Sequence, residues 1–581
     1  MKRVNKKLLL AATITALLAG CDSGGINIEP ETNDNSVDEG GNDNDGNNSG
    51  DNPCASYEEG GENVRGSFDA DSGDCTYSAS FVDSGNPLTT DLFIPALDND
   101  GVHIFEGSLF VGRNFDDDAT MAAAGIAEGG DGTKLTVEAG STIAFPDNTK
   151  FAVINRGSQI FAVGTENAPI TFTSTSDAVD NAVAYDDVQQ WGGLVINGFG
   201  VTNKCAYTGN LDDGSLALES ECHVLAEGAA GKDQSNYGGD NNEDSSGQLE
   251  YFMVKHTGAE VANGDELNGI TFSGVGSETI IRNLQAYSTY DDGIEFFGGA
   301  ANVENFVGLY VRDDSIDIDE GYRGSITNAL VIQAEADGNH CIESDGIGSY
   351  DGDTDYSDVI GEGINSRPKI DGLTCIISAQ ETGTHGAGAG WRFREGIFPQ
   401  ITNSMVVASF SADENGEDGS NYCLRLESEE SRTEAEAADS AIRMESVIFA
   451  CEDRTRTDMD DNGTPEDTSD DFPLMDVETW AVDSGNVFAD ISGEVNPTAI
   501  ASTQLQLLEG TPSFYSIDTA SMMVDGESIA ISPVVGATDE SDDAAARAYF
   551  GALSQGDLDW TLGWTYGLHD GNRAEALWFE Q

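Results

Sequence analysis

The sequence predicts an all-β chain wound as a parallel β-solenoid, and three observations carry that expectation. From about residue 133 the chain alternates short β-branched apolar segments with Gly, Asn, Asp and Ser breaks, as in Leu135-Thr-Val137, Thr142-Ile-Ala-Phe145, Phe151-Ala-Val-Ile154 and Ile170-Thr-Phe172. Such segments have strand length and almost no helical periodicity. Next, three stretches overlay on one another: Asp291-Asp-Gly-Ile-Glu295, Asp313-Asp-Ser-Ile-Asp317 and Asp337-Gly-Asn-His-Cys341, each preceded by an apolar run, at spacings of 22 and 24 residues. A period of that size, built of strand and tight turn, is the mark of coils that stack one on the next. Finally, hydrophobic residues make up 38% of 581 and glycine reaches 69 against 13 prolines, enough apolar material for a long core.

The segments follow in order. Residues 1–20 combine the cations Lys2, Arg3, Lys6 and Lys7 with an apolar run from Leu8 to Leu18, too short for a membrane span and read as a signal peptide. Leu18-Ala-Gly-Cys21 is similar to a bacterial lipobox, which implies cleavage before Cys21 and a diacylglycerol on its thiol. The expected partner is therefore a lipid bilayer, and the expected address the outer membrane and cell surface. Asp22 would, under the enteric sorting rule, retain the protein at the inner membrane instead. Residues 21–52 are acidic and almost devoid of apolar side chains, as expected of a solvated tether. Residues 53–130 are read as an N-terminal cap, 131–480 as the solenoid, and 481–581 as a C-terminal cap with a short helix near Asp543 to Phe550. Eight further cysteines fall in near pairs, and a ladder-like fold favours Cys54 with Cys75, Cys205 with Cys222, Cys341 with Cys375, and Cys423 with Cys451.

Charge excludes one class of partner. With 26 Lys and Arg against 105 Asp and Glu, the net charge is −79, which repels nucleic acid. The coil overlay stacks Asp291/Asp292, Asp313/Asp314 and Asp337, and likewise Glu295, Asp317 and Glu343. Carboxylates one strand apart repel by about 3 to 4 kcal/mol at an effective dielectric near 20, so such a column needs cations, protons or Arg partners. Asp292 and Asp314 are therefore candidate Ca²⁺ ligands, and Glu295, Asp317, Asp319, Tyr322, Arg323, Arg392, Arg394 and Arg425 candidate ligand-binding residues, with the arginines aimed at an anionic sugar or phosphate. The structural alternative is a solvated ladder of salt bridges between coils. A second candidate Ca²⁺ site is Asp458, Asp460, Asn462 and Glu466, with oxygen donors at alternate positions followed by glycine but Ser469 where an EF-hand needs glutamate.

Four further stretches carry a family resemblance. Ile160-Phe-Ala-Val-Gly-Thr-Glu-Asn-Ala-Pro-Ile-Thr-Phe-Thr173, Trp191-Gly-Gly-Leu-Val-Ile196, Tyr290 to Gly299 and Asp313 to Gly324, with Asp559-Trp-Thr-Leu-Gly-Trp-Thr565 near the end, resemble exported pectate-lyase-like right-handed β-helix lipoproteins of marine Gammaproteobacteria and Bacteroidetes. The resemblance implies a fold and an extracellular setting but no agreed activity. A lyase on this fold would cast Tyr322, His340, Arg392 or Arg394 as base, and a glycosidase would use Glu295 and Asp317. The sequence has no G-x-S-x-G or H-E-x-x-H string. The preferred expectation is a Ca²⁺-stabilised surface binding protein that captures a polysaccharide or other anionic ligand for an outer-membrane transporter. The alternatives are a carbohydrate-active enzyme and a structural or adhesive protein.

Overall fold

A computed structural model describes residues 52–578 apart from 127–131, 228–234, 263–264, 335–336, 349–355, 379–387, 409–421, 452, 465–470, 490–504, 509–513, 518–522, 525–526, 529–530, 540, 542 and 554–558. Ten strands form one parallel sheet: β1 (Leu109–Val111), β2 (Ala152–Ile154), β3 (Leu194–Asn197), β4 (Ile270–Ser273), β5 (Ile294–Phe297), β6 (Ile316–Asp319), β7 (His340–Asp345), β8 (Ala389–Arg394), β9 (Tyr422–Leu426) and β10 (Asp453–Thr457). A second sheet of 18 strands runs beside it and completes each coil. Its long strands Ile280–Tyr287, Asn302–Leu309, Ser325–Ile332 and Lys369–Ile377 lie in parallel register. The chain is thus the right-handed parallel β-helix that the sequence predicts.

Those long strands bend in the middle, and the sequence supplies the means. Asn283, Asn305 and Asn328 sit one above another with φ of 53°, 65° and 57°, a left-handed conformation that Asn tolerates better than most side chains. Their amides also bond to each other: Asn305 Nδ2 donates to Asn283 Oδ1 at 2.9 Å and Asn328 Nδ2 to Asn305 Oδ1 at 3.0 Å. Gly372, with φ of 74°, takes the same corner in the next coil.

Inward side chains stack into one continuous core. Phe272, Phe296 and Tyr322 form a column with centroid spacings of 5.2 and 4.3 Å, and Ile294, Ile316, Ile318 and Ile342 line up beside it. Each fully buried Leu, Ile or Phe contributes about 1.5–3 kcal/mol by leaving water. The four disulfides have the expected partners. Cys341–Cys375 joins β7 to the strand Lys369–Ile377 across the core, and all four of Cys341, Cys375, Cys423 and Cys451 are buried. Trp191 lies in the core, its indole N–H donating to the Lys255 carbonyl at 2.8 Å.

The two ends differ from expectation. Parallel pairing already begins at Cys75–Tyr77 with His103–Phe105, inside the segment read as a cap, and the antiparallel hairpin Ser56–Glu59/Glu62–Arg65 precedes it. At the other end, helix α1 (Val477–Asp483) packs Val477 and Ala481 into the core near the last coil. The stretch after residue 531 is no end cap. It runs along the flank, where Ala552, Leu553, Trp564, Leu568 and Leu577 cover an outward stripe of Leu309, Ile332, Ile376 and Val407. Gln285 Nε2 donates to the Tyr566 carbonyl at 2.7 Å, and Trp578 Nε1 to the Gln333 carbonyl at 3.0 Å. The reason lies in the strands, whose second halves are apolar on both faces and must be covered on the outside as well. Nor does a helix form at Asp543 to Phe550; Arg547 instead reaches Asp371 at 2.9 Å and the end of the Asn ladder at Asn328.

Candidate functional site

Strand register alone assembles the site. Ile294 and Phe296 point into the core, so Glu295 between them points out, and the same alternation operates in every coil of the sheet. Following the register from β4 to β10, this outward column reads Thr271, Glu295, Asp317, Glu343, Arg392, Arg425, Arg456. Three carboxylates are followed by three guanidiniums along one line. The stacking of Glu295, Asp317 and Glu343 matches the sequence overlay. That of Asp337 does not, because Asp317 pairs with Glu343 and so shifts the third coil: Asn339 and His340 stand over Asp313 and Asp314, while Asp337 faces Arg312 at 3.7 Å.

At the acidic end, Asp292, Glu295 and Asp317 each bring an oxygen within 4.8 Å of the others, and so do Asp291, Asp292 and Asp313. Asp292 and Glu295 are buried, at 7% and 4% exposed. Asn268 donates to Glu295, and the Asp314 backbone N–H donates to Asp292 at 3.0 Å. Among the described residues no Lys or Arg is ion-paired with Asp292, Glu295 or Asp317. Asp319 lies two positions along β6, and its Oδ1 is buried without a hydrogen-bond partner. Burial pushes the carboxyls of Asp291, Asp292, Glu295, Asp317 and Asp319 well above the usual range, and neighbouring carboxylates push them further: Asp291 acts on Asp292, Glu227 on Glu295 and Asp319 on Asp317. A hard oxygen donor set without an internal cation fits Ca²⁺.

Asp314 is drawn away from that set. Burial raises its carboxyl to about 8 while His340 works in the opposite direction, its Nδ1 lying 2.8 Å from Asp314 Oδ1. Burial disfavours the imidazolium, but Asp314 and Glu343 outweigh it and hold His340 well above its ordinary range. His340 Nε2 reaches the Tyr422 hydroxyl at 2.8 Å. Burial alone would raise Glu343, yet His340 and Arg394 bring it down.

The arginines are engaged with this network. Arg392 binds Glu343 and Glu427, both at 2.9 Å; Arg394 binds Glu343 at 2.9 Å and also Asp345. Arg425 binds Glu427, as its spacing of two residues predicts, but its Nε is buried without a partner. Arg425 and Arg456 line an open cleft of about 540 Å³ with Thr455, Thr457, Met459 and Glu478. Both guanidiniums lie over the Tyr422 ring, at 5.8 and 4.9 Å.

Other candidates stand elsewhere. Tyr322 belongs to the core, fully buried, its hydroxyl donating to the Ala301 carbonyl at 2.7 Å, because its ring continues the Phe272–Phe296 stack. Arg323 leaves the face for Asp212, at 2.5 Å, and the Gly363 carbonyl. Asp458 is turned to Arg432 and the Ser428 N–H, and Asp460 caps the Asn462 N–H at 2.7 Å, so their loop closes on itself. Glu466 and Cys21 lie outside the described residues. Sequence reasoning missed Glu227, Asn268 and Arg456. The first two come from connecting segments with no signal, whereas the alternation of Thr455-Arg-Thr457 would have placed Arg456.

A family model described as a pectate-lyase-like β-helix domain matches residues 115–486. No curated protein and no solved structure matches the chain. The matched stretch holds β2 to β10 and every residue of the charged column, and on coil register and match together the chain belongs to the family of pectate-lyase-like β-helix domains.

Proposed function

We propose that the charged face is a capture surface on a lipid-anchored protein: Ca²⁺ sits among Asp292, Glu295 and Asp317, and the arginine end takes the anionic groups of a polysaccharide or related polymer and passes it to an outer-membrane transporter. A pectate-lyase-like β-helix fits a carbohydrate-binding or carbohydrate-active protein. The observation that carries the reading is the switch within one outward column from three carboxylates to three arginines, with the cleft at the arginine end. Asp292, Glu295 and Asp317 would hold the ion through carboxylate oxygens, and a bound divalent cation would offset their mutual repulsion and offer a positive centre to the ligand. Arg392 and Arg394 fix the junction between the two halves, which leaves Arg425 and Arg456 facing the cleft. The anchor rests on Cys21 and the lipobox around it.

A second reading, a glycosidase, is favoured by Glu295 and Asp317 standing on adjacent coils with oxygens within 4.8 Å, a separation that suits retention. One experiment separates the two. The full chain is incubated with acidic and neutral polysaccharides with and without Ca²⁺, and both polymer length and retention are followed. Intact polymer retained only with Ca²⁺ supports capture, shortened polymer supports the enzyme, and neither outcome removes both.

A further inference from the structure

Three buried donors of mixed chemistry meet where the acidic half of the column gives way to the arginines. Asp314, His340 and Glu343 are 4%, 5% and 9% exposed, and each brings one ligand atom within 4.8 Å of the other two. Strand register builds the group. Asp317 pairs with Glu343, so Asp314 and His340, each three residues earlier, take the same place on successive coils. The next residues in that column are Ala389 and Tyr422. Ala389 carries nothing beyond Cβ, which lets the imidazole of His340 reach past it to the Tyr422 hydroxyl, 2.8 Å from Nε2.

The spacing around the other ring nitrogen is that of ligands on one ion. His340 Nδ1 lies 2.8 Å from Asp314 Oδ1 and 3.3 Å from Glu343 Oε2. Two ligands bound to Zn²⁺ at about 2.0–2.2 Å stand about 3.0–3.4 Å from each other, so small side-chain shifts admit an ion between them. The carboxylates are held from behind. Asp314 Oδ1 accepts the His340 backbone N–H at 2.6 Å, while Glu343 takes both guanidiniums on Oε1 and turns Oε2 to the imidazole. Each guanidinium has a second carboxylate, Glu427 for Arg392 and Asp345 for Arg394, so Asp314 and Glu343 can balance a divalent ion. An imidazole nitrogen with two carboxylates suits Zn²⁺ or a neighbouring transition metal, whereas Ca²⁺ takes oxygen ligands. Tyr422 on the far nitrogen fixes the ring, as outer partners of metal-bound histidines do. Among the described residues His223 also stands between carboxylates, those of Asp118 and Glu221. There Arg156 donates to Nδ1, so the neutral ring keeps its proton on Nε2, the atom that faces Asp118, and has no nitrogen free for an ion.

We propose that Asp314, His340 and Glu343 form a binding site for one divalent transition-metal ion, of which Zn²⁺ fits the donor set best, separate from the Ca²⁺ position at Asp292, Glu295 and Asp317. Bound there, the ion joins two successive coils at the junction between the acidic and the arginine halves. The test is a calorimetric titration of the full chain in detergent, stripped with chelator, with Zn²⁺ in excess Ca²⁺, which occupies the other carboxylates. One Zn²⁺ per chain is expected. His340→Asn leaves an amide N–H where Nδ1 stood, so Asp314 keeps a donor, and it is expected to weaken Zn²⁺ about a hundredfold or more, beyond the loss of an outer partner. Asp314→Asn keeps the acceptor for the His340 N–H, is expected to act in the same direction, and decides the matter should His340→Asn not fold. His223→Asn is expected to bind Zn²⁺ as the parent does. Circular dichroism verifies that each variant is folded. No Zn²⁺ binding above the Ca²⁺ background, or unchanged affinity in folded His340→Asn or Asp314→Asn, overturns the proposal. Loss of binding in His223→Asn alone overturns it too and moves the ion to Asp118 and Glu221.

Discussion

Glu343 is the keystone of the charged column, and its removal is the sharpest test of how the two halves are joined. It accepts from Arg392 and Arg394 at 2.9 Å each and stands 3.3 Å from His340 Nδ1, while remaining only 9% exposed. At 2.9 Å and an effective dielectric near 20, each guanidinium contact is worth about 6 kcal/mol of gross attraction, most of it offset by desolvation. Glu343→Ala leaves two arginines and an imidazolium short of a partner in a half-buried site. Breaking buried pairs in this way costs about 3–5 kcal/mol, and the partial exposure of the arginines places the expected loss near the lower figure, about 3 kcal/mol. Glu343→Gln keeps shape and an acceptor oxygen but not the charge, and is expected to lie between the parent and the alanine variant. Denaturant unfolding of the disulfide-intact chain, followed by tryptophan fluorescence, measures the change; Trp391 sits on β8 beside the junction. A loss below about 1 kcal/mol for Glu343→Ala would refute the reasoning, since the arginines would then be solvated without help.

Further outcomes follow from the same geometry. Ca²⁺ at 100 times its dissociation constant is expected to stabilise the chain by about 2.7 kcal/mol, and Asp292→Asn to abolish most of that gain; an unchanged thermal midpoint on chelation would remove the ion from the acidic end. Arg425→Ala with Arg456→Ala is expected to abolish polymer retention with under about 1 kcal/mol lost, and a larger loss in urea titration would make both residues structural. His103 is buried, donates from Nε2 to the Pro95 carbonyl at 2.7 Å and accepts from Tyr77, and burial brings its pKa down to about 4. Its folded pKa lies below the unfolded value of about 6.5, so its contribution is complete above that pH and is lost as pH falls towards 4, by up to about 3 kcal/mol; midpoints of His103→Asn against pH should be flatter than those of the parent. Trp564→Ala should cost about 3–5 kcal/mol and expose the flank segment to protease, because Trp564 is fully buried against the outer apolar stripe. Cleavage no faster than in the parent chain would mean that the segment is held by its polar contacts alone.

Local pattern determined much of this protein. Alternation within Ile294-Glu-Phe296 and Ile316-Asp-Ile318 sets which side chains face out, and a 22-residue coil then brings Glu295 over Asp317 with no help from the rest of the fold. The disulfide partners were legible for the same reason, since stacked coils bring near neighbours together. Where coil length changed, the pattern misled: the third coil is longer than its Asp337 motif suggests, and the register moved to Asn339 and His340. Tertiary structure alone decided whether a charge had a partner. Arg392 and Arg394 look alike in the sequence, but only packing across coils assigns Glu343 to both and Glu427 to Arg392, sends Arg323 to Asp212, and brings Glu227 from a side loop to Glu295. The physical reason is range: side-chain alternation is fixed within two or three residues of backbone, whereas ion pairing depends on segments tens of residues apart, whose approach is set by coil length and by what each coil must cover.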